Sequence, residues 1–561
     1  MKIKISLLII FAFLLPAIMY AQQENVELSN PVYEFLKEMN VKGIFEGYDD
    51  ANPNLSRGEI GNFLKNIDSL KAELSGTERA LLEKYKIEFI REYQTPEKTF
   101  VLFDKSGSFD DKLSGLLSKK QKYIYKAGNN SSNIYINLIG NVYLTQIIKP
   151  YSDLSSEIID GGLRAHGTIF NNLGYYFSFN KGAIAGSKYS AAMTLPKLNQ
   201  NFNFLEDKNS ILSYDYTNGY LRYHVTPIDD MDLAIQFGRE QITLGYGYGS
   251  KLVLSGESPD MDFLKINFKY GVFRYNFIHA STVGNFSYDY SQRYTKYFAA
   301  NRVGFSFPGL FDFDFNETVI YSGRLDFAYL NPLAFYHFAE KSLQDRDNKN
   351  LALEFQTHFL KNIQFEGNLF IDDIDNLKNF FGNSSAHQKF GYQVGTFIYQ
   401  PLQISNLSFI LEYTRIRPYT YTHITPQETY SAYGVGLGHR IGPNSDEVYS
   451  AIAYNMYDWG RLNLEYQFIR KGNNIYDAAG NMIKNVGGDF NFAYVENIDN
   501  PDAPFLDGER VNTNAFHLSF RYQPIKNIYF TLKYIYELNY NKTKDSKSDH
   551  SFVFLWMNVD Y

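Results

Sequence analysis

The chain has 561 residues, a formal net charge of −7 and no cysteine, which excludes disulfides and thiolate metal sites and argues against a nucleic-acid partner. Phe and Tyr number 47 each, yet mean hydropathy is negative. Many rings with a wet average suit strands that have one face in lipid and one in water, rather than a helical enzyme.

Lys2 and Lys4 precede an apolar run from Ile5 to Met19, and Ala21 supplies a small residue before Gln22. This is the pattern of a secretory signal peptide over 1–21. Beyond it no segment approaches 18 uninterrupted apolar residues, so a transmembrane helix is not expected. A closed barrel is then the spanning structure left, because it satisfies backbone groups between strands.

Residues 22–105 read as a small periplasmic helical module. Asn30 followed by Pro31 is an N-cap with proline at the first helical position, and Val32, Phe35, Leu36 and Met39 recur at helical spacing. Ser56-x-x-Glu59 and Ser75-x-x-Glu78 are two capping boxes. The first opens onto Ile60, Phe63, Leu64 and Ile67, the second onto Leu81, Leu82 and Tyr85. A short strand is expected from Thr99 to Asp104, and 106–130 is a linker.

From 131 to 561 the chain alternates with a period of two. Leu462, Leu464, Tyr466 and Phe468 face away from Asn463, Glu465 and Gln467, and Phe516, Leu518, Phe520 and Tyr522 away from His517, Ser519 and Arg521. Nineteen candidate strands are found, from 133–146 to 550–561 and including 431–441. Single-chain bacterial barrels close with an even number, so about 18 antiparallel strands are expected. The fold class is therefore an all-β transmembrane barrel with a small N-terminal α-helical module. The last strand carries Val553, Leu555, Met557, Val559 and Tyr561 on one face, a lipid-facing stripe ending on a boundary aromatic. With Tyr561 in the periplasm, 458–460 and 523–527 become periplasmic turns, and 472–512 and 541–549 outer loops. Residues 418–430 are then too long for a periplasmic turn.

No enzyme chemistry stands out. The ten His residues show no metal-ligand spacing, and the Gly245 to Lys251 run lacks the spacing and the helix of a phosphate loop. Gly434, Gly436 and Gly438 share a strand face and imply close backbone approach against a loop or plug inside the barrel. Asp372 and Asp373 are adjacent, so in a strand they point apart and cannot form a glycosidase pair. No catalytic residue, cofactor or metal is assigned. A lumen lined with rings and charge offers a carbohydrate-type surface instead, with Arg239, Arg302, Glu317, Arg324, Asp372, Arg415 and Arg417 as candidates. Arg415 and Arg417 sit two apart and share a face. A salt-bridge lattice that stiffens the barrel is the alternative role for each.

Across 238–395 the sequence resembles the Wzi capsule-assembly family of outer-membrane proteins. The resemblance rests on Gly238-Arg239-Glu240, the Gly245 to Gly249 run, Leu252 to Ser255, Pro259, Tyr297 to Arg302, Glu317 to Tyr321, Tyr329 to Pro332, Phe370 to Asp373 and Gly391 to Gln393. It implies an 18-stranded barrel that attaches capsular polysaccharide without enzymatic activity. Leu244-Gly245-Tyr246-Gly247 replaces the family's frequent Trp-Gly-Pro-Gly, and Asn301 stands where His is common. Residues 43–60 are similar to a single S-layer homology module, which implies contact of Arg57 with peptidoglycan or a linked wall polymer. The expected partners are thus surface polysaccharide, outer-membrane lipid and wall polymer. A carbohydrate-selective porin is the alternative, and an outer-membrane enzyme built around His279 or His517 a more distant one.

Overall fold

A computed structural model describes residues 22–89, 99–103, 109–129, 131–150, 154–201, 204–205, 213–344, 346–374 and 387–561. The expected signal peptide lies outside these residues. Three helices form first: α1 (Val32–Val41), α2 (Arg57–Ser69) and α3 (Gly76–Glu88). Asn30 accepts the backbone N–H of Val32 through its side chain, with Pro31 already at helical dihedrals, so the proline-led cap is present. Both capping boxes close: Ser56 and Glu59 satisfy each other's backbone N–H, as do Ser75 and Glu78. The apolar faces of the helices bury Val32, Phe35, Leu36, Ile60, Leu64, Ile67, Leu82 and Phe89 in one cluster, which also takes in Phe397 and Tyr399. The module is thus packed on the barrel rather than beside it.

The stretch from 99 to 129 is more structured than a linker. Thr99–Val101 pairs in parallel with Gln121–Tyr123, a helix covers Phe109–Leu116, and Tyr125–Gly128 pairs with the start of the first barrel strand.

The barrel closes with 18 strands. They are β1 (Asn133–Lys149), β2 (Ser156–Ile169), β3 (Leu173–Gly186), β4 (Tyr214–Val225), β5 (Met231–Glu240) and β6 (Met261–Tyr270). Next come β7 (Phe273–Val283), β8 (Thr295–Phe307), β9 (Phe311–Ser322), β10 (Asn348–Thr357), β11 (Ile363–Ile374) and β12 (Gln388–Tyr399). The last are β13 (Leu407–Ile416), β14 (Ser445–Met456), β15 (Gly460–Asn473), β16 (Glu509–Ile525), β17 (Ile528–Asn541) and β18 (Ser546–Asp560). Neighbours pair antiparallel throughout, and β18 returns to β1 with Leu555 opposite Leu144. Closure removes the free sheet edge, as a spanning sheet requires.

One of the nineteen expected strands is absent from this ring. Residues 431–441 belong to a loop that joins β13 to β14 and holds a small hairpin, Ser431–Ala432 with Val435–Gly436. A Cβ on Gly438 would sit 2.4 Å from the Tyr421 ring. Its alternation thus reflects close packing within a loop, as the glycines implied, but not a wall strand. With that strand removed, 418–430 no longer has to be a turn, and every connection falls into place. Short turns gather at one end, around Asn171, Gly271, Gly309, Asp458 and Asn527, and long loops at the other.

The closing strand behaves as its stripe requires. Leu555 is 45% exposed on the outer face, while Phe552 and Phe554 are buried in the interior against Ile147. The outer face elsewhere exposes Leu163, Phe179, Phe237, Val394, Leu464 and Leu532 as an apolar belt.

Candidate functional site

The lumen is filled from both ends. From the short-turn end the helical module enters with three acidic contacts. Glu38 accepts from Ser408, Asn455 and Arg461 on the wall. Glu34 pairs with Arg461 and Arg521. Burial alone would raise the Glu34 carboxyl, but these guanidinium groups outweigh it and hold it at about 2. Glu88 is held at about 2 in the same way, with Lys526 and Arg57 opposing the effect of burial. Deeper still, Asp49 accepts from both terminal nitrogens of Arg302 at 2.6 and 2.9 Å, and Arg302 also donates to Asp314 and Asn276 at 2.9 Å. Burial raises the Asp49 carboxyl, yet Arg302 and Arg274 carry it well below the usual range.

The loop between β5 and β6 turns inward to meet the module. Gly245 donates its N–H to the Ala51 carbonyl at 2.9 Å. Gly245 stands at φ +96°, and a Cβ there would lie 2.5 Å from a Glu354 carboxylate oxygen, so glycine is required. The N–H groups of Tyr248 and Gly249 then donate to Glu412 at 2.8 and 3.0 Å, which anchors the loop across the barrel. Above it the β13–β14 loop forms a second layer: Tyr421 and Tyr430 donate to the carbonyls of Leu252 and Val253. Beside β1 to β4, a helix at Lys188–Thr194 and the turn after it pack Ala191, Leu195 and Leu198 against Ile158 and Tyr214. Between module, loop and wall a cavity of about 390 Å³ remains, lined among others by Asp50, Tyr248, Glu366 and Tyr449.

This arrangement places the expected site residues unequally. Arg302 and Asp372 do face the lumen, but Arg302 is fully buried under Asp49 and Asp372 accepts the N–H of Tyr421. Both hold the plug in place. Arg239 faces outward and forms a two-pronged pair with Asp262, its Nε donating at 2.9 Å. Glu317 also faces outward, where it accepts the N–H groups of Tyr336 and His337. Arg324 lies in the β9–β10 loop against Asp347. The expectation that Arg239, Glu317, Arg415 and Arg417 line the lumen is therefore corrected. The inward positions of β13 are Ser408, Glu412, Thr414 and Ile416, so Arg415 takes the opposite face. Arg57 is turned into its own module, donating to the Glu88 carbonyl with its guanidinium 4.5 Å from the Phe89 ring. His279 meets the Tyr321 hydroxyl and His517 meets Glu465. Among the described residues no cluster of His, Asp and Glu has metal-holding geometry.

Arg415 and Arg417 instead define a patch at the long-loop rim. Asp446 stands opposite Arg415 in register, but its carboxylate is committed to Arg470 and Tyr413. Arg415 accordingly makes no ion pair among the described residues and lies 3.7 Å over the Phe505 ring. Arg417 lies 5.1 Å over Phe390. Tyr494, from the β15–β16 loop, packs edge-on against Tyr419 and His387 at 5.8 and 5.9 Å. Lys389, next to Phe390 in β12, takes the opposite face and lies 3.5 Å from Asp373. Cations beside ring faces suit acidic sugars, whose carboxylates take charge-assisted bonds while their C–H faces take the rings. Sequence spacing pairs the two arginines. It carries no signal for Phe390, Tyr494 or Phe505, which arrive from other strands and loops.

A family model described as capsule assembly protein Wzi matches residues 213–553. The chain belongs to the Wzi family. Among solved structures it is similar to Escherichia coli Wzi, described as an outer-membrane protein involved in group 1 capsule assembly and a carbohydrate-binding β-barrel. That likeness has a TM-score of 0.57 at 12% identity and covers 96% of this chain and 99% of that one. Pseudomonas aeruginosa OprD gives a TM-score of 0.42 at 10% identity over 76% of this chain and 95% of its own, a likeness too loose to argue from. No curated protein sequence matches the chain. The family and the closed sheet together make this an outer-membrane β-barrel.

Proposed function

We propose that this barrel retains capsular polysaccharide at the cell surface, gripping acidic sugar at the rim patch of Arg415, Arg417, Tyr494 and Phe505 and conducting nothing. The observation that carries the reading is the pairing of a filled lumen with an outward cationic and aromatic patch among the long loops. A carbohydrate-selective porin needs an open path through the sheet, and the stacked layers of module and loops speak against one. The long-loop end faces the medium and the helical module closes the periplasmic end, where its function is that of a plug. Arg57, spent inside the module, lends no support to wall contact. The barrel acts by binding and needs no catalytic group.

The test is cell-attached polysaccharide in cells carrying Arg415→Ala with Arg417→Ala, compared with the unaltered chain at equal barrel insertion. Polysaccharide shed into the medium supports the reading. Unchanged retention sinks it.

A further inference from the structure

The outer face of β8 and β9 carries Asn301 and Glu317 at a depth where the rest of the belt is apolar. Asn301 and Glu317 stand as far in from the short-turn ends of their strands as Leu163, Phe179 and Phe237 do on theirs. Those three are exposed to the surroundings of the barrel, whereas Asn301 and Glu317 are buried. What covers them is the first part of the β9–β10 loop, residues 323–344, which folds back down the outside of the wall.

The cover answers the wall group by group. Asn301 donates to the Ala334 carbonyl at 2.8 Å and accepts from the Tyr275 hydroxyl at 2.8 Å. The Pro332 carbonyl also lies against the Tyr275 hydroxyl. Glu317 accepts the N–H of Tyr336 at 2.9 Å. Rings complete the seal, with Tyr321 stacked on Tyr297 at 4.8 Å and contacting Tyr329 at 4.9 Å. An Asn and a carboxylate left bare at this depth would face hydrocarbon without partners, a heavy cost. The motifs Tyr297 to Arg302, Glu317 to Tyr321 and Tyr329 to Pro332, which carry the family resemblance, thus meet at one place on the outer wall.

The other side of this segment is mainly apolar from Leu325 to Phe338, with Asn331 among them, and turns polar at Lys341 and Ser342. Phe327, Leu333, Phe335 and Phe338 are between 58% and 86% exposed, and nothing among the described residues covers them. Leu333 and Phe335, which flank the bonds to Asn301 and Glu317, continue the belt sideways at the height of Leu163 and Phe237. We propose that residues 323–344 form an intramembrane strap that seals a polar notch in the wall and presents Phe327, Leu333, Phe335 and Phe338 to the acyl chains of the leaflet nearer the long loops. The lipid contact of the barrel is there made by a loop, not by strands.

The test uses tryptophan as the reporter. Trp459 and Trp556, the two native tryptophans, are replaced by Phe. Into that background go Phe338→Trp in the strap or Phe237→Trp in the belt as control. Folded barrels are reconstituted into phosphatidylcholine vesicles with brominated acyl chains and, separately, exposed to aqueous iodide. The expected result is loss of Phe338→Trp emission to the bromolipid to the same degree as the control, with shielding from iodide. Quenching by iodide and not by bromolipid would put the segment in water and overturn the proposal. Quenching by neither would mean a protein surface covers it, and overturns it too. A control that bromolipid fails to quench removes the membrane reading of the belt, and the strap with it.

Discussion

Replacing Asp49 with Ala removes a charged tie between module and wall. Arg302 has no exposed side-chain surface and Asp49 is 17% exposed, so the pair is a buried one. Breaking such a pair by deleting one partner costs about 3–5 kcal/mol, because the remaining charge is stranded. Here Asp314 stays 2.9 Å from Arg302, which keeps one carboxylate in place and favours the low end, about 3 kcal/mol or roughly a hundredfold in the opening equilibrium. The segment released is 43–55, together with the Gly245 N–H that donates to Ala51. Amide hydrogen exchange on the full barrel reads this directly, since local opening exposes these groups while the strands stay paired. The expectation is faster exchange by about that factor at 43–55 and at Gly245, with β15 to β18 unchanged. Exchange at 43–55 indistinguishable from the unaltered chain would refute the view that the Asp49–Arg302 pair locks the plug.

Planar-bilayer recordings of the purified barrel should show no stable open steps, and steps of porin size would contradict a filled lumen. Acid should loosen the module: with Glu34 and Glu88 depressed to about 2 from an ordinary 4.5, their contribution is whole above pH 4.5 and is lost as pH falls toward 2. Protection of α1 and α3, taken as exchange relative to its intrinsic rate at each pH between 7 and 3, should fall only below about 4.5, and a fall already complete by pH 6 would exclude these carboxylates as the cause. Ser56→Ala removes one half of a formed capping box and should lower module stability by about 1 kcal/mol, read as faster exchange in α2 alone.

Much of this fold is legible in the sequence because the rules that apply are local. The capping boxes at Ser56 and Ser75 form as spelled, and strands such as β15 and β16 alternate cleanly where one face meets lipid and the other a wet interior. Alternation loses its meaning where the interior is dry. Ile278, Phe298, Ile320, Phe370 and Ile416 all face inward yet are apolar, because they pack on the β5–β6 and β13–β14 loops. On such strands both faces read alike, so the spacing that pairs Arg415 with Arg417 cannot say which side they take. The opposite failure occurs at Asn301 and Glu317, polar residues that face outward because a strap covers them. The 431–441 segment misleads for a third reason: glycines alternating with Tyr433, Val435 and Leu437 mimic a strand in a loop packed on itself. Each miss lies where tertiary contact replaces water or lipid as the neighbour of a side chain.

The most direct measurement of the central claim is equilibrium binding of an acidic capsular polysaccharide, and of its carboxyl-reduced form, to the purified barrel and to its Arg415→Ala, Arg417→Ala variant. Saturable binding of the acidic form that falls about tenfold or more in the variant, and is weak for the reduced polymer in both, is the predicted result, since charge-assisted bonds of about 1.5–3 kcal/mol are lost in each case. Equal binding of the acidic and reduced polymers, or binding untouched by the two substitutions, would contradict the account.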